Sequence, residues 1–361
     1  MPENRKKPLL FEKYPDLEAD ISWKKLAPLR TPVKKLTILE KKLGINSLWV
    51  KCDNLTSPLY GGNKVRKLEF LLAEAKDKGY KKVITAGGLG SNHCVATATF
   101  CNQLKLKPSA VLINQPITSY VRNNLLLDLY FKNEIFYTDE YDKIPRDPDV
   151  YYMVPGGSTP LGNLGFVNAA LELKNQINNG EIPEPDYLFV ASGSSGTAAG
   201  LLLGIKIAEL KTKLHTIQTS FAPYSSFNAV RRLAKKTWKL LSNYQNSIPK
   251  APIEQLNFNE DYFGGEYALP TQECIDAVKP IKETEDITLE TTYTGKTFAA
   301  LLGFVRANKN KKIKDKTILF WNTYNSRDFS DILTKLDYHD LPQEIHWVFE
   351  NPLPDFGLEK N

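Results

Sequence analysis

The chain is poor in the features that mark several classes of protein. It has four cysteines in 361 residues (Cys52, Cys94, Cys101 and Cys274), with no CxxC pair and no zinc-ligand spacing. A disulfide-stapled scaffold and a structural zinc site are therefore not indicated, and the count suits a reducing compartment. Cys94 and Cys101 lie seven apart on one face of an expected helix, which reads as core packing. No uninterrupted apolar run approaches the length of a membrane span. The opening "MPENRKKPLLFEKYPDLEAD" has no apolar h-region, so a secretory signal is not expected. No internal repeat is evident. Charge of one sign is also scarce: 47 Lys and Arg stand against 41 Asp and Glu, a net +6 spread along the chain. That excess suits a small anionic ligand better than a nucleic acid. The densest basic run, "NKNKKIKDK" at 308–316, has no interleaved aromatics and reads as a solvated loop. At 42% hydrophobic and 24% charged, neither disorder nor a collagen-like chain fits. The expectation is a cytoplasmic enzyme for a small molecule, with no nucleic-acid, membrane or metal partner.

Short apolar runs alternate with longer runs of helical period. "SLWVKCD" (47–53), "KKVITAGG" (81–88), "PSAVLINQ" (108–115), "PDYLFVASG" (185–193), "HTIQTSFA" (215–222) and "KTILFWNT" (316–323) read as strands. Helices are expected over 64–78, 91–105, 163–179, 197–211 and 295–308. This alternation predicts an α/β fold with parallel, doubly wound sheets flanked by helices. In such sheets ligands sit beyond the carboxyl ends of strands, so the loops after "VITA" and "LFVA" are where chemistry is expected. Residues 141–162, rich in Pro and Gly, read as an interdomain crossing, and 243–270 as loops over a site.

Four stretches carry chemistry. "VASGSSGTAAGLLLG" (190–204) runs from a strand through a Gly/Ser loop into a helix, so Gly193, Ser194, Ser195, Gly196 and Thr197 form a candidate phosphate cradle. No GKS or GKT follows, which excludes a P-loop, and GxGxxG is absent. The plainer alternative is a tight strand-to-helix turn. "TAGGLGSNHCVATATF" (85–100) places Gly90, Ser91, Asn92 and His93 at another helix start, where an anionic carboxylate fits; alternatively Ser91 or Asn92 is simply an N-cap. In "PLYGGNKVRKLEF", Asn63 is a candidate cap and Lys64 opens a helix. The positive end of the helix dipole disfavours an ammonium, and a neutral lysine amine attacks carbonyls. "TTYTGKTFAALLGF" (291–304) sets Tyr293 and Thr294 before a fourth helix start, where a tyrosine stacks on a ring, moves a proton or only packs. A carbonyl-seeking lysine, a phosphate cup, a carboxylate turn and a tyrosine together form the parts of a pyridoxal 5′-phosphate site.

"GGNKVRKLE", "GGLGSNH", "SGSSGTAAGL" and "YTGK" occur in an order that resembles the 1-aminocyclopropane-1-carboxylate deaminase and D-cysteine desulfhydrase family. That family is a tryptophan-synthase-β-like branch of the fold-type II pyridoxal phosphate enzymes, and the similarity covers roughly 25–325. The resemblance implies a two-domain fold, with a large cofactor-binding domain from 1–60 plus 166–361 and a small domain, 61–165, inserted between. It implies that Lys64 holds the cofactor aldehyde and serves as base at the substrate Cα. Asn92 would bond the cofactor's phenolic oxygen, and Ser91 and Asn92 would hold the substrate carboxylate. The phosphate would sit on Gly193–Thr197. Tyr293 would pack near the ring, with Tyr267 in "GGEYALP" as a second active-site tyrosine and Thr323 in "WNT" at the cofactor. It also implies a homodimer acting on a small amino acid.

Ring-opening members resemble "YEGK", with a glutamate facing the pyridine nitrogen; here the position is Thr294. A neutral hydroxyl leaves that nitrogen largely unprotonated and suits elimination of a β leaving group. The expected reaction is therefore α,β-elimination on a small D-amino acid, D-cysteine giving pyruvate, hydrogen sulfide and ammonia. The alternatives are the cyclopropane deaminase, giving 2-oxobutyrate and ammonia, or a non-catalytic cofactor-binding protein on the same scaffold. Three features depart from the family pattern: Gly90 where a glutamine often precedes the serine, Tyr324 and Asn325 where glycines often follow the last strand, and extra N-terminal residues.

Overall fold

A computed structural model describes residues 6–28, 30–138, 147–309 and 313–354. Among the described residues, ten strands form two separate sheets. They are β1 (Val33–Lys35), β2 (Ser47–Cys52), β3 (Lys82–Gly88), β4 (Lys107–Ile113), β5 (Glu134–Tyr137), β6 (Val150–Tyr152), β7 (Tyr187–Ser192), β8 (Lys213–Gln218), β9 (Leu256–Asn259) and β10 (Thr317–Asn322). The larger sheet has the order β1-β2-β10-β7-β8-β9, and the smaller β5-β4-β3-β6. All described pairings are parallel except β1 with β2, where Val33 faces Lys51.

The inner strands read as apolar runs because both of their faces are covered. On β10, Leu319 and Trp321 pack into one core with helices Pro160–Asn178, Gly196–Ile207 and Phe227–Ser242. Ile318 and Phe320 point the other way, into a second core with helices Thr37–Leu43, Gln272–Glu285 and Thr294–Ala307. In the small sheet, Val83 meets helices Lys64–Asp77 and Asn92–Gln103. Ala110 and Leu112 meet helix Ser119–Tyr130.

The six strands and five helices expected from sequence are all present, with ends shifted by a few residues. The short strands β1, β5, β6 and β9 were not expected, nor were helices Ser119–Tyr130, Phe227–Ser242 and Gln272–Glu285. Of the stretch read as a crossing, 141–146 lies outside the described residues, and β6 occupies part of the rest. Residues 310–312 of the basic run also lie outside them, as does the start of the N-terminal extension. The four-stranded sheet falls within the interval 61–165, whereas Leu341, Ile345 and Val348 near the C-terminus pack with Leu89, Ala110 and Leu125 of the small unit. The domain limits 1–60 plus 166–361 and 61–165 remain our proposal.

A buried ion cluster fixes the Lys64–Asp77 helix. Arg66 donates to both carboxylate oxygens of Asp53 (2.9 and 2.6 Å) and to Glu172 (2.9 Å) on helix Pro160–Asn178. Lys51 on β2 donates to Glu172 (2.6 Å) and Gln176 (2.7 Å), and the Trp321 indole N–H to Asp53 (2.7 Å). Burial alone would raise the Glu172 carboxyl, but Arg66 and Lys51 hold it well below the usual range. Among the described residues, no helix is long and apolar enough to cross a membrane. All four cysteines are buried and free.

Candidate active site

The carboxyl ends of β3, β4, β6 and β7 and the loop after β10 open onto one cavity of about 800 Å³. Every site residue singled out in the sequence lines it except Gly90 and Thr294.

Lys64 is the first residue of its helix. Its Nζ donates to Asn63 Oδ1 (2.9 Å), while Asn63 Nδ2 donates to Thr197 Oγ1 (3.1 Å). Asn63 therefore precedes the helix without capping it, because its amide is spent tying the lysine to the Gly/Ser loop. Burial pushes the Lys64 pKa down to about 8, against the opposing pull of Glu290 and Cys94. Desolvation thus leads in loosening its proton. One turn on, Lys67 is buried and donates to Gly156 O (2.9 Å) and Ser158 Oγ (3.0 Å). Burial, then the nearby Lys64, puts it well below an ordinary lysine. The sequence reading missed Lys67, although a spacing of three from Lys64 sets both on one helix face.

Strand β7 runs through Gly193, Ser194 and Ser195 into helix Gly196–Ile207, and Ser195 adopts φ +61° at the turn. Its hydroxyl donates to Tyr224 O (2.6 Å), and Ser194 and Ser158 share a 2.7 Å hydrogen bond. A Cβ at Gly196 would lie 2.3 Å from Ser158 Oγ and 2.7 Å from Lys67 Nζ, so only glycine lets this backbone close on those donors. Asn163 Oδ1 and Thr219 Oγ1 are buried nearby with no hydrogen-bond partner among the described residues. Helix-start N–H groups, hydroxyls and a buried lysine form a donor set that fits a phosphate.

At the second turn Ser91 caps its helix, its Oγ accepting from Cys94 N (3.4 Å), and keeps its own hydrogen to donate. Asn92 Oδ1 accepts from the Tyr60 hydroxyl (2.9 Å) and from Asn124 Nδ2 (3.1 Å). Two donors on one oxygen settle the amide orientation and leave Nδ2 as the group offered to the cavity. Tyr60 and Asn124 carry no motif in the sequence. His93 is buried on the wall with both ring nitrogens unpartnered among the described residues. Burial, then Lys64 and Lys67, hold its pKa well below the usual value, so the ring is neutral.

Opposite, the hydroxyls of Tyr267 and Tyr293 are 2.5 Å apart. Burial raises Tyr267 to about 12, against the hydrogen bond from Tyr293. A Cβ at Gly193 would be 3.0 Å from the Tyr293 ring, so the bare glycine admits that ring. Lys296 Nζ holds the loop carrying Tyr267 through Phe263 O (2.5 Å). Thr323 lines the cavity and its carbonyl accepts from Asn63 N (3.1 Å). Tyr324 is on the wall, edge-on to Tyr120 at 6.1 Å, whereas Asn325 turns away and accepts from Gly61 N (2.8 Å).

Thr294 lies behind the wall. Its hydroxyl donates to Glu290 Oε1 (3.0 Å) and accepts from Glu290 N (3.1 Å). The Glu290 carboxylate, which does line the cavity, accepts from the backbone N–H groups of Thr292 (2.7 Å), Tyr293 (3.0 Å) and Thr294 (2.7 Å). Burial raises its pKa, with the bonds from Thr294, Tyr293 and Thr292 opposing. Glu290 was missed; an acid four residues before a helix start was the available signal.

The family described as "Pyridoxal-phosphate dependent enzyme" matches residues 25–323. The chain belongs to this family. It is 34% identical to a putative 1-aminocyclopropane-1-carboxylate deaminase of Thermotoga maritima, over 81% of this chain and 93% of that one. It is 32% identical to a D-cysteine desulfhydrase of Serratia proteamaculans, over 81% and 90%. Among solved structures, one described as an ACC deaminase homologue superposes with a TM-score of 0.73 at 28% identity, covering 92% of this chain and 98% of that one. The protein is thus a fold-type II pyridoxal phosphate enzyme of the deaminase and desulfhydrase group. The cup at Gly193–Thr197, Lys64 and the free Nδ2 of Asn92 fit that cofactor.

Proposed function

We propose that the protein is a lyase that removes a β-substituent from a small D-amino acid, D-cysteine and water giving pyruvate, hydrogen sulfide and ammonia. When bound, the cofactor supplies a carbonyl that captures amines and a ring that withdraws electrons from the substrate Cα. Lys64, with its pKa near 8, exchanges a proton at neutral pH and takes the one on Cα. Ser91, Asn92 and the helix-start N–H groups hold the substrate carboxylate. The paired hydroxyls of Tyr267 and Tyr293 face the cavity and are the acids that would protonate a departing thiolate. The observation that carries the elimination reading is the Glu290–Thr294 cap. The carboxylate is committed to three backbone N–H groups and a hydroxyl, so this wall would offer a pyridine nitrogen no uncommitted acid.

Ring opening of 1-aminocyclopropane-1-carboxylate is the second reading, favoured by the presence of Glu290 on the cavity wall. Assays of the cofactor-loaded protein with D-cysteine, L-cysteine and the cyclopropane substrate separate the two. Sulfide and pyruvate from D-cysteine alone are expected; 2-oxobutyrate as the main product overturns the desulfhydrase reading. We also propose a cytoplasmic homodimer, supported by the family resemblance; sedimentation of a monomer at micromolar concentration would refute the dimer.

A further inference from the structure

The turn before Ser91 carries two glycines that face one side chain. A Cβ at Gly88 would lie 2.1 Å from Gln115 Oε1, and one at Gly90 would lie 3.1 Å from Gln115 Nε2. Neither glycine has a positive φ, so backbone conformation does not require them. Their bareness instead makes the niche into which Gln115 enters, from the loop after β4. Gly90 N donates to Gln115 Oε1 at 3.1 Å. A backbone N–H only donates, so the oxygen is fixed as the acceptor and the amide cannot be flipped. Nε2 then holds two hydrogens, and among the described residues it donates to no other group. Gln115 is part of the cavity wall, as is Ser91, and the point that a Gly88 Cβ would occupy is also 3.3 Å from the Tyr267 ring.

We propose that Gln115 is a substrate-binding residue, its Nε2 donating to the carboxylate of the bound α-amino acid beside Ser91. The inference rests on the amino-acid reading above. It explains why Gly90 lies off the cavity wall: the carboxamide that the turn itself lacks arrives from the neighbouring strand. A pinned carboxamide donor bonds a carboxylate more strongly than the neutral carbonyl of an ester or amide in its place.

The test measures binding rather than turnover. D-alanine and L-alanine have no leaving group, and their dissociation constants can be read from the change they cause in the cofactor absorption of the loaded protein. Gln115→Met keeps length and removes both donors. Weakening of alanine binding by about tenfold or more is expected, in line with loss of a hydrogen bond to a charged group, with cofactor affinity unchanged and alanine methyl ester binding weakened distinctly less. Equal alanine binding by Gln115→Met and wild type overturns the proposal while leaving the amino-acid reading intact. Equal loss for alanine and its ester overturns it too, since that result marks general disruption. No response of the wild type to any small amino acid overturns the reading itself, and the proposal with it.

Discussion

At the scale of single residues, the site works by removing water from charged groups. Lys64 opens on the cavity, and burial brings its pKa from 10.5 to about 8. At pH 7 roughly a tenth of it is then the free amine, against about three in ten thousand for an ordinary lysine. A lowered lysine pKa means that the reactive neutral form appears at lower pH. The rate at which cofactor-free protein captures pyridoxal phosphate is therefore expected to rise through pH 7 to 8 and level off above about 9. Stopped-flow absorbance across pH 6 to 11 checks this (roughly the span between an acid-silent and a fully neutral amine). A rate still climbing at pH 10 would show that Lys64 keeps an ordinary pKa. Lys64→Ala should abolish the visible band of the lysine-bound cofactor altogether.

At the scale of elements, the helix that starts at Lys64 is held by charge buried away from water. Arg66 supplies four bonds to Asp53 and Glu172, and all three residues are buried. Truncation would take the guanidinium from Asp53 and leave Glu172 with Lys51 alone, and breaking a buried pair costs about 3–5 kcal/mol in comparable cases. Arg66→Ala is expected to lower unfolding stability by that amount in a guanidinium titration. Arg66→Lys should fall between, since a point charge cannot serve both carboxylates with a planar fork. A change under about 1 kcal/mol would show that the carboxylates are relieved by protonation or water. These elements differ in how far sequence exposes them. Strands β3, β7 and β10 were legible because burial on both faces leaves continuous apolar runs. Strand β6, with three residues, carries too few positions for any period to show. Helix Ser119–Tyr130 was hidden because Val121 and Leu125 pack inward while Leu126 and Leu129 are also covered, which blurs its polar face. The same limit applies to the site. Lys64 and the Gly/Ser loop announce themselves through local pattern. Lys67 and Gln115 act through contacts made only after distant segments meet, as when Lys67 reaches Ser158 and Gln115 reaches Gly90, whereas Glu290 makes a local cap that lacks a recognised motif.

At the scale of the molecule, the cavity belongs to neither sheet. Its wall takes Thr85 to Gly88 and Tyr152 from the small unit, and Ala191, Gly196 and Tyr293 from the large one. A ligand long enough to reach from the cup at Gly193–Thr197 to Ser91 would touch both. A ligand that binds only the folded form stabilises it by about 2.7 kcal/mol at a hundred times its dissociation constant. Pyridoxal phosphate held by Lys64 and the cup would span the gap, so that stabilisation is expected in both units. Hydrogen exchange with and without the cofactor is the measurement, read separately over 82–113 and 187–218. Slowed exchange in both segments is expected. Inorganic phosphate, which can occupy only the cup, should protect the start of helix Gly196–Ile207 and leave β3 and β4 unchanged. If the whole cofactor protects no more than phosphate does, the two units do not share it. Lys64 would then have to reach a cofactor held in the cup by a movement of its helix, which the buried Arg66 cluster opposes.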